Sequence, residues 1–250
     1  MCGRYAISLP PDTYREFFGY KQQPNFPARF NVAPTQPVPV VLQDADEPQF
    51  RLMRWGFLPA WVKDPKEFPL VINARGETLD TKPTFRNALK YRRCVFLADG
   101  FYEWQRRGRE KAPFLIRRRD RAPLPFAGLW ETYSHPDGGD IDSAAIVTTD
   151  ANGVLAPIHD RMPVILSPEG IRRWLDARAV NGEEAFSLVR PCPEDWLDMV
   201  PVSTRVNKVE NDDPDLQTPL AAPETRPIPE SKRKAAKVRS TDEDEQGKLF

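Results

Sequence analysis

The chain holds only two histidines, His135 and His159, and three cysteines, Cys2, Cys94 and Cys192. With so few imidazoles and no CxxC pair, a zinc site of ordinary Cys/His spacing is not expected, and no metal or other cofactor is assigned. Three scattered thiols cannot form a disulfide framework either, which fits a reducing compartment. An excess of one charge is also missing, since 36 Lys and Arg balance 36 Asp and Glu. Binding to a polyanion would therefore need a local basic patch rather than bulk attraction. No run approaches the roughly 20 apolar residues that span a bilayer. Met1 to Tyr5 has no signal-peptide pattern, so the expected location is cytoplasmic, with no membrane partner.

What is present is a globular composition, 40% hydrophobic and 10% aromatic over 250 residues. It changes near residue 220. Residues 2–220 alternate apolar runs with turn signals and read as one domain. Residues 221–250 are almost free of apolar side chains until Leu249 and Phe250, and read as a disordered tail. Within the domain, strands are expected at Val38–Leu42, Phe50–Trp55, Leu70–Ile72, Cys94–Ala98, Gly100–Gln105, Phe114–Arg117, Ala144–Thr148 and Val164–Leu166. A hairpin closes at Gly108, with the charged tip Arg106–Lys111 read as solvated. Helices are expected at Asp12–Phe18, Thr84–Tyr91, Pro168–Ala177 and Glu183–Leu188, the third started by Ser167 and Pro168 as N-cap and first-turn residue. Strands and helices do not alternate regularly, which argues against a doubly wound sheet. The expected class is α+β: a single strand-rich domain with a barrel-like mixed sheet core and short flanking helices.

The chain begins Met1-Cys2-Gly3-Arg4-Tyr5. Methionine aminopeptidase removes Met before small residues, so the mature chain is expected to start at Cys2. That leaves an α-amine and a thiol on adjacent carbons, with reference pKa values of about 8 and about 8.5. Such a 1,2-aminothiol condenses with an aldehyde to a Schiff base, which the thiol closes into a five-membered thiazolidine. An internal Cys or Lys cannot make that ring.

Further segments follow in order: "FNVAPTQPVPVV" (30–41), "MRWGFLPAWVKD" (53–64), "INARGETL" (72–79), "GFYEWQ" (100–105), "IHDRMPVIL" (158–166) and "VSTRVNKV" (202–209). Together with MCGRY they resemble the successive motifs of the SOS-response-associated peptidase (SRAP) family, over roughly residues 2–215. The resemblance implies a DNA-repair protein of the SOS response that crosslinks itself to abasic sites in single-stranded DNA, protecting them, with lyase-like chemistry. It implies that Cys2 is the nucleophile and that Asn73 holds the N-terminus and the attached sugar. Glu103 would be the acid/base, and His159 would assist opening of the deoxyribose. Arg4, Arg75 and Arg161 would lie along the DNA backbone, and Trp55 and Trp61 could stack on bases. Gly76 departs from the pattern, where Ala is more usual, and is expected to loosen its turn.

The chemistry is coherent by itself. An abasic sugar is mostly a closed hemiacetal, so freeing its aldehyde needs a proton donor and acceptor, a task suited to imidazole. Glu103, between Tyr102 and Trp104, would gain basicity from partial burial. Taken singly, each residue has a plainer reading: Glu103 as a solvent-facing strand residue, Asn73 as a turn residue, the arginines as surface charge, the two tryptophans as core. Two other functions stay open, a thiol peptidase using Cys2, Glu103 and His159, and a non-covalent module for modified DNA. The last five residues, Gln246-Gly247-Lys248-Leu249-Phe250, resemble the bacterial sliding-clamp-binding pentapeptide. Gln246 would be its polar anchor and Leu249 and Phe250 its apolar pair, while Gly247 stands where Leu is common. Such a tether would place the protein at replication forks, near the nucleoid. A monomer suits single-site capture.

Overall fold

The computed structural model describes residues 2–44, 47–108, 110–224 and 226–227. Its elements begin with β1 (Tyr5–Ile7), α1 (Pro11–Phe18), β2 (Arg29–Val32), β3 (Pro37–Asp44), β4 (Glu47–Trp55), β5 (Asn73–Arg75), α2 (Pro83–Tyr91) and β6 (Arg93–Phe96). They continue with β7 (Gly100–Arg107), β8 (Glu110–Arg118), β9 (Phe126–Ser134), β10 (Asp140–Asp150), β11 (Arg161–Pro163), α3 (Pro168–Leu175), α4 (Gly182–Phe186), β12 (Leu197–Pro201) and β13 (Arg226–Pro227).

One sheet closes on itself. Its order is β10-β4-β3-β6-β9, and β9 pairs back with β10, giving a five-stranded mixed barrel without open edges around that ring. All its pairs are antiparallel except β10 with β4. So small a barrel leaves little room inside, and Gly128 on β9 shows where the limit falls. A Cβ there would lie 2.6 Å from the Phe96 ring and 2.9 Å from Cys94 Sγ. The second sheet runs β12-β8-β7-β1-β2, with β13 added along β8. The two sheets meet at Tyr5, whose buried ring packs edge-on against Trp55, Phe96 and Phe126 of the barrel.

Short helices cover the outside, and each starts where local chemistry dictates. Proline opens α1, α2 and α3, where its fixed φ suits the first turn. Ser167 caps α3 by accepting from the Gly170 N–H, as expected, and Asn181 with Glu184 forms a capping box on α4. Gly108, at φ 59°, closes the β7–β8 hairpin.

Two expected strands are displaced. At 70–75 the ladder residues are Asn73–Arg75, and at 161–166 they are Arg161–Pro163, both against β10. In each case the apolar run flanks the ladder rather than forming it. Strands β1, β2, β9 and β12 lie where none was expected, and β13 pairs with β8 from within residues 221–250, which were expected to be disordered.

Arg93 is a buried cation with no carboxylate partner among the described residues. Its guanidinium donates to the carbonyls of Leu89, Lys90, Trp174, Asp176 and Val180, gathering the C-terminal ends of α2 and α3 and the chain beyond. Burial lowers its pKa to about 10, so it stays charged at neutral pH. Arg93→Met would strand these carbonyls, at a cost of about 3–5 kcal/mol. For a domain of this size the melting temperature should fall by roughly 10 °C in calorimetry. An unchanged Tm would contradict this role.

Candidate active site

The site is assembled by strand pairing. In the β1–β7 ladder Tyr5 lies opposite Phe101, and the Tyr102 N–H donates to Arg4 O (3.0 Å). The strands are antiparallel, so residues before Tyr5 run alongside those after Tyr102. This carries Cys2 to Glu103, close enough that the carboxylate raises the thiol pKa. Asn73 arrives on β5, docked in parallel on β10, and its Nδ2 donates to Cys2 O (3.0 Å). Its Oδ1 is buried and takes no hydrogen bond among the described residues. His159 comes from the turn between β10 and β11, held by its N–H to Leu155 O (2.9 Å).

The ionisable groups are tuned by burial. Glu103 is 3% exposed, and burial raises its pKa, while His159 acts against that rise. Cys2 is fully buried; burial first, and the Glu103 charge second, push its thiol far above the ordinary range. Both effects oppose formation of the free thiolate. His159 Nδ1 faces two groups: the Arg161 backbone N–H donates to it at 2.9 Å, and Asp160 Oδ1 stands 2.8 Å away.

His159 and Asp160 separate two clefts. One, of about 430 Å³, is lined by Glu103, Trp104, Arg106, Lys111 and Ile158. The other, of about 580 Å³, is lined by Arg75, Glu77, Thr78, Asp150 and Arg161. An elongated ligand passing His159 would occupy both.

The structure thus brings together Cys2, Asn73, Glu103 and His159 from four separate segments. The expected DNA-facing residues divide. Arg75 is exposed, and Trp61 is 61% exposed beside Phe68, not in the core. Trp55 cannot stack on a base: it is fully buried against Tyr5, with its Nε1–H donating to Ile72 O. Arg4 is half-buried and spends its donors on Asn31 Oδ1 and on the carbonyls of Val206 and Asn207. Arg161 is engaged by Glu77, Asp150 and Thr148 O. At Gly76 an added Cβ would lie 2.4 Å from Val189 and 2.9 Å from Thr148 O, so a larger residue here would require those neighbours to shift. Gln246, Leu249 and Phe250 lie outside the described residues.

Residues 1–209 match the family model described as SOS response associated peptidase (SRAP). The chain belongs to the SRAP family. The abasic site processing protein YoqW of Bacillus subtilis is 36% identical over 220 residues, covering 86% of this chain and 98% of that protein. YedK of Escherichia coli, also named an abasic site processing protein, is 34% identical over 233 residues, covering 88% and 100%. HMCES of Gallus gallus, with the same description, is 36% identical over 264 residues, covering 88% and 78%. A crystal structure from Bordetella bronchiseptica superposes with a TM-score of 0.71 at 28% identity, covering 81% of this chain and all of that one. One from Bacteroides thetaiotaomicron reaches 0.80 at 24% identity, covering 88% and 100%, and shares the fold.

Within this SRAP domain, sequence reasoning missed the residues that brace the site. Buried Asn31 donates to the carbonyls of Val206, Lys208 and Asn211 while accepting from Arg4. Asn207 Oδ1 accepts from Trp104 Nε1–H (2.6 Å). Residues 203–212 thus form a strap over the strands that carry Cys2 and Glu103. Asn31 and Asn207 sit inside quoted motifs, but nothing in their spacing indicates partners 175 and 103 residues away.

Proposed function

We propose that the chain processes abasic sites in single-stranded DNA by covalent capture, using the α-amine and thiol that Cys2 presents once Met1 is removed. The observation that carries this reading is the convergence of Cys2, Asn73, Glu103 and His159 beside a pair of clefts joined at His159. The names of the relatives support the substrate class.

In this reading His159 exchanges a proton with the sugar hemiacetal, freeing the C1′ aldehyde. The Cys2 amine adds to C1′, and loss of one water leaves an imine. Sγ then adds to the imine carbon. The thiol proton passes through Glu103 to the ring nitrogen, so aminothiol plus aldehyde give a thiazolidine and one water. A thiol held neutral by burial needs such an acceptor, and a carboxylate made more basic by burial is suited to be one. Asn73 fixes the Cys2 carbonyl so that amine and thiol stay on the same side of the sugar. The same carboxyl can return the proton for reversal or for lyase-like strand cleavage. Arg75 and exposed Trp61 are the expected contacts to backbone and base, and Gln246 to Phe250 would tether the protein to a sliding clamp.

The peptidase alternative is weakened by the same electrostatics. A cysteine peptidase depends on a stabilised thiolate, whereas the charge beside Cys2 is a carboxylate that opposes one.

The test mixes purified protein, shown by intact mass to begin at Cys2, with a single-stranded oligonucleotide carrying one abasic site. A band that survives denaturation is expected, and digestion should place the sugar mass on the peptide beginning at Cys2. Protein that retains Met1 should give none. If protein starting at Cys2 forms no such band, covalent capture is wrong.

A further inference from the structure

The β7–β8 hairpin carries an arrangement that costs the isolated protein stability. Arg106 and Lys111 lie directly opposite each other in the ladder. Two cationic residues therefore face each other across adjacent strands. Like charges facing each other on neighbouring strands repel, and neither Arg106 nor Lys111 has an ion-pair partner among the described residues. Arg106 is exposed and Lys111 half-exposed, and both line the cleft that holds Glu103 and His159.

The opposite cleft differs. There Arg161 is already paired with Glu77 and Asp150. The groove through His159 thus differs on its two sides: Arg161 is ion-paired on the β5–β11 side, whereas Arg106 and Lys111 on the hairpin side have no ion pair among the described residues. An anion bridging the pair would relieve the repulsion, and a chain of phosphates leaving the His159 position would meet it.

We infer that the Arg106–Lys111 pair is a phosphodiester-binding subsite that holds the nucleic-acid backbone on one side of the captured nucleotide. This rests on the proposed reading and extends it, by giving the hairpin a role in holding substrate. It replaces the reading of the hairpin tip as merely solvated.

The experiment measures equilibrium binding of a short undamaged single-stranded oligonucleotide by fluorescence anisotropy, from roughly 50 to 200 mM salt. Each phosphate neutralised on a single strand contributes about 0.7 to the slope of log affinity against log salt. Arg106→Gln with Lys111→Gln should therefore flatten the slope by about 1.4 relative to wild type. Arg106→Lys, which keeps the charge, should leave it unchanged. Arg172→Gln with Arg173→Gln, on exposed positions of α3, serves as the control and should also leave it unchanged. Thermal unfolding of the double hairpin variant should be no lower than wild type, because the repulsion is gone. A wild-type slope in a folded hairpin variant overturns the subsite, as does an equal flattening in the α3 control. The abasic-site gel separates the two ideas. Crosslinking with an unchanged slope sinks the subsite alone, while a flattened slope without any crosslinking supports the subsite and sinks covalent capture.

Discussion

Cys2→Ala, in protein beginning at residue 2, should give no denaturation-resistant product with abasic single-stranded DNA, yet should give one when borohydride is added. Alanine is also small enough for Met1 to be removed, so the variant keeps its α-amine and the Asn73 hydrogen bond to the residue-2 carbonyl. An imine can still form at C1′. It cannot close, because no thiol is in reach: Cys94 and Cys192 are buried in the core and their pKa values are raised by burial, that of Cys192 to about 12. The open imine hydrolyses or promotes strand cleavage, and hydride traps it. The variant should therefore exchange capture for turnover, seen as a cleaved oligonucleotide on the same gel. An untrapped stable adduct from Cys2→Ala would mean that the amine alone holds the sugar, and the ring would have no role.

Glu103→Gln should slow adduct formation by about 10²–10⁴, the usual worth of a positioned acid/base, while making the protein more stable. The sign follows from burial. Folding raises the Glu103 pKa, so the native state holds its proton more tightly than the unfolded state. The carboxyl is then best tolerated below its unfolded pKa, and its burial costs increasingly more as pH rises through the folded value. Glutamine imitates the protonated form at every pH. The gain in Tm over wild type should be larger at pH 8 than at pH 5, and scanning fluorimetry at both would show it. Wild-type capture should be lost in the opposite sense, as pH falls through the raised pKa and the base is protonated. A Gln variant with full activity would remove Glu103 from the chemistry. One that is both slow and unstable would make it structural.

The two outcomes depend on features that differ in how visible they are from sequence. Helix starts were legible because they are written locally, in Pro11, Pro83, Ser167-Pro168 and Asn181. The long hairpin strands were legible through alternation around Gly108. Strand β9 was hidden by Ala127 and Gly128, where the absence of side chains is what makes room for Phe96. Strands β1 and β2 have only three and four residues, and exist because β7 and the 203–212 strap hold them. Candidate site residues could be named from the order of motifs, because each motif is short and contiguous. Their geometry could not, since Cys2, Asn73, Glu103 and His159 lie on separate segments joined only by long-range pairing. Trp55 shows the reverse case: a tryptophan near a site looks like a base-stacking platform until its ring is found buried within the protein.

The strap also sets an order in time. The carbonyls of Val206 and Asn207 that hold Arg4 are synthesised some 200 residues after it. The segment around Arg4 is therefore made long before the residues that clamp it, and it stays unclamped until they exist. On the reading proposed above, removal of Met1 and construction of the pocket around Cys2 are separate stages.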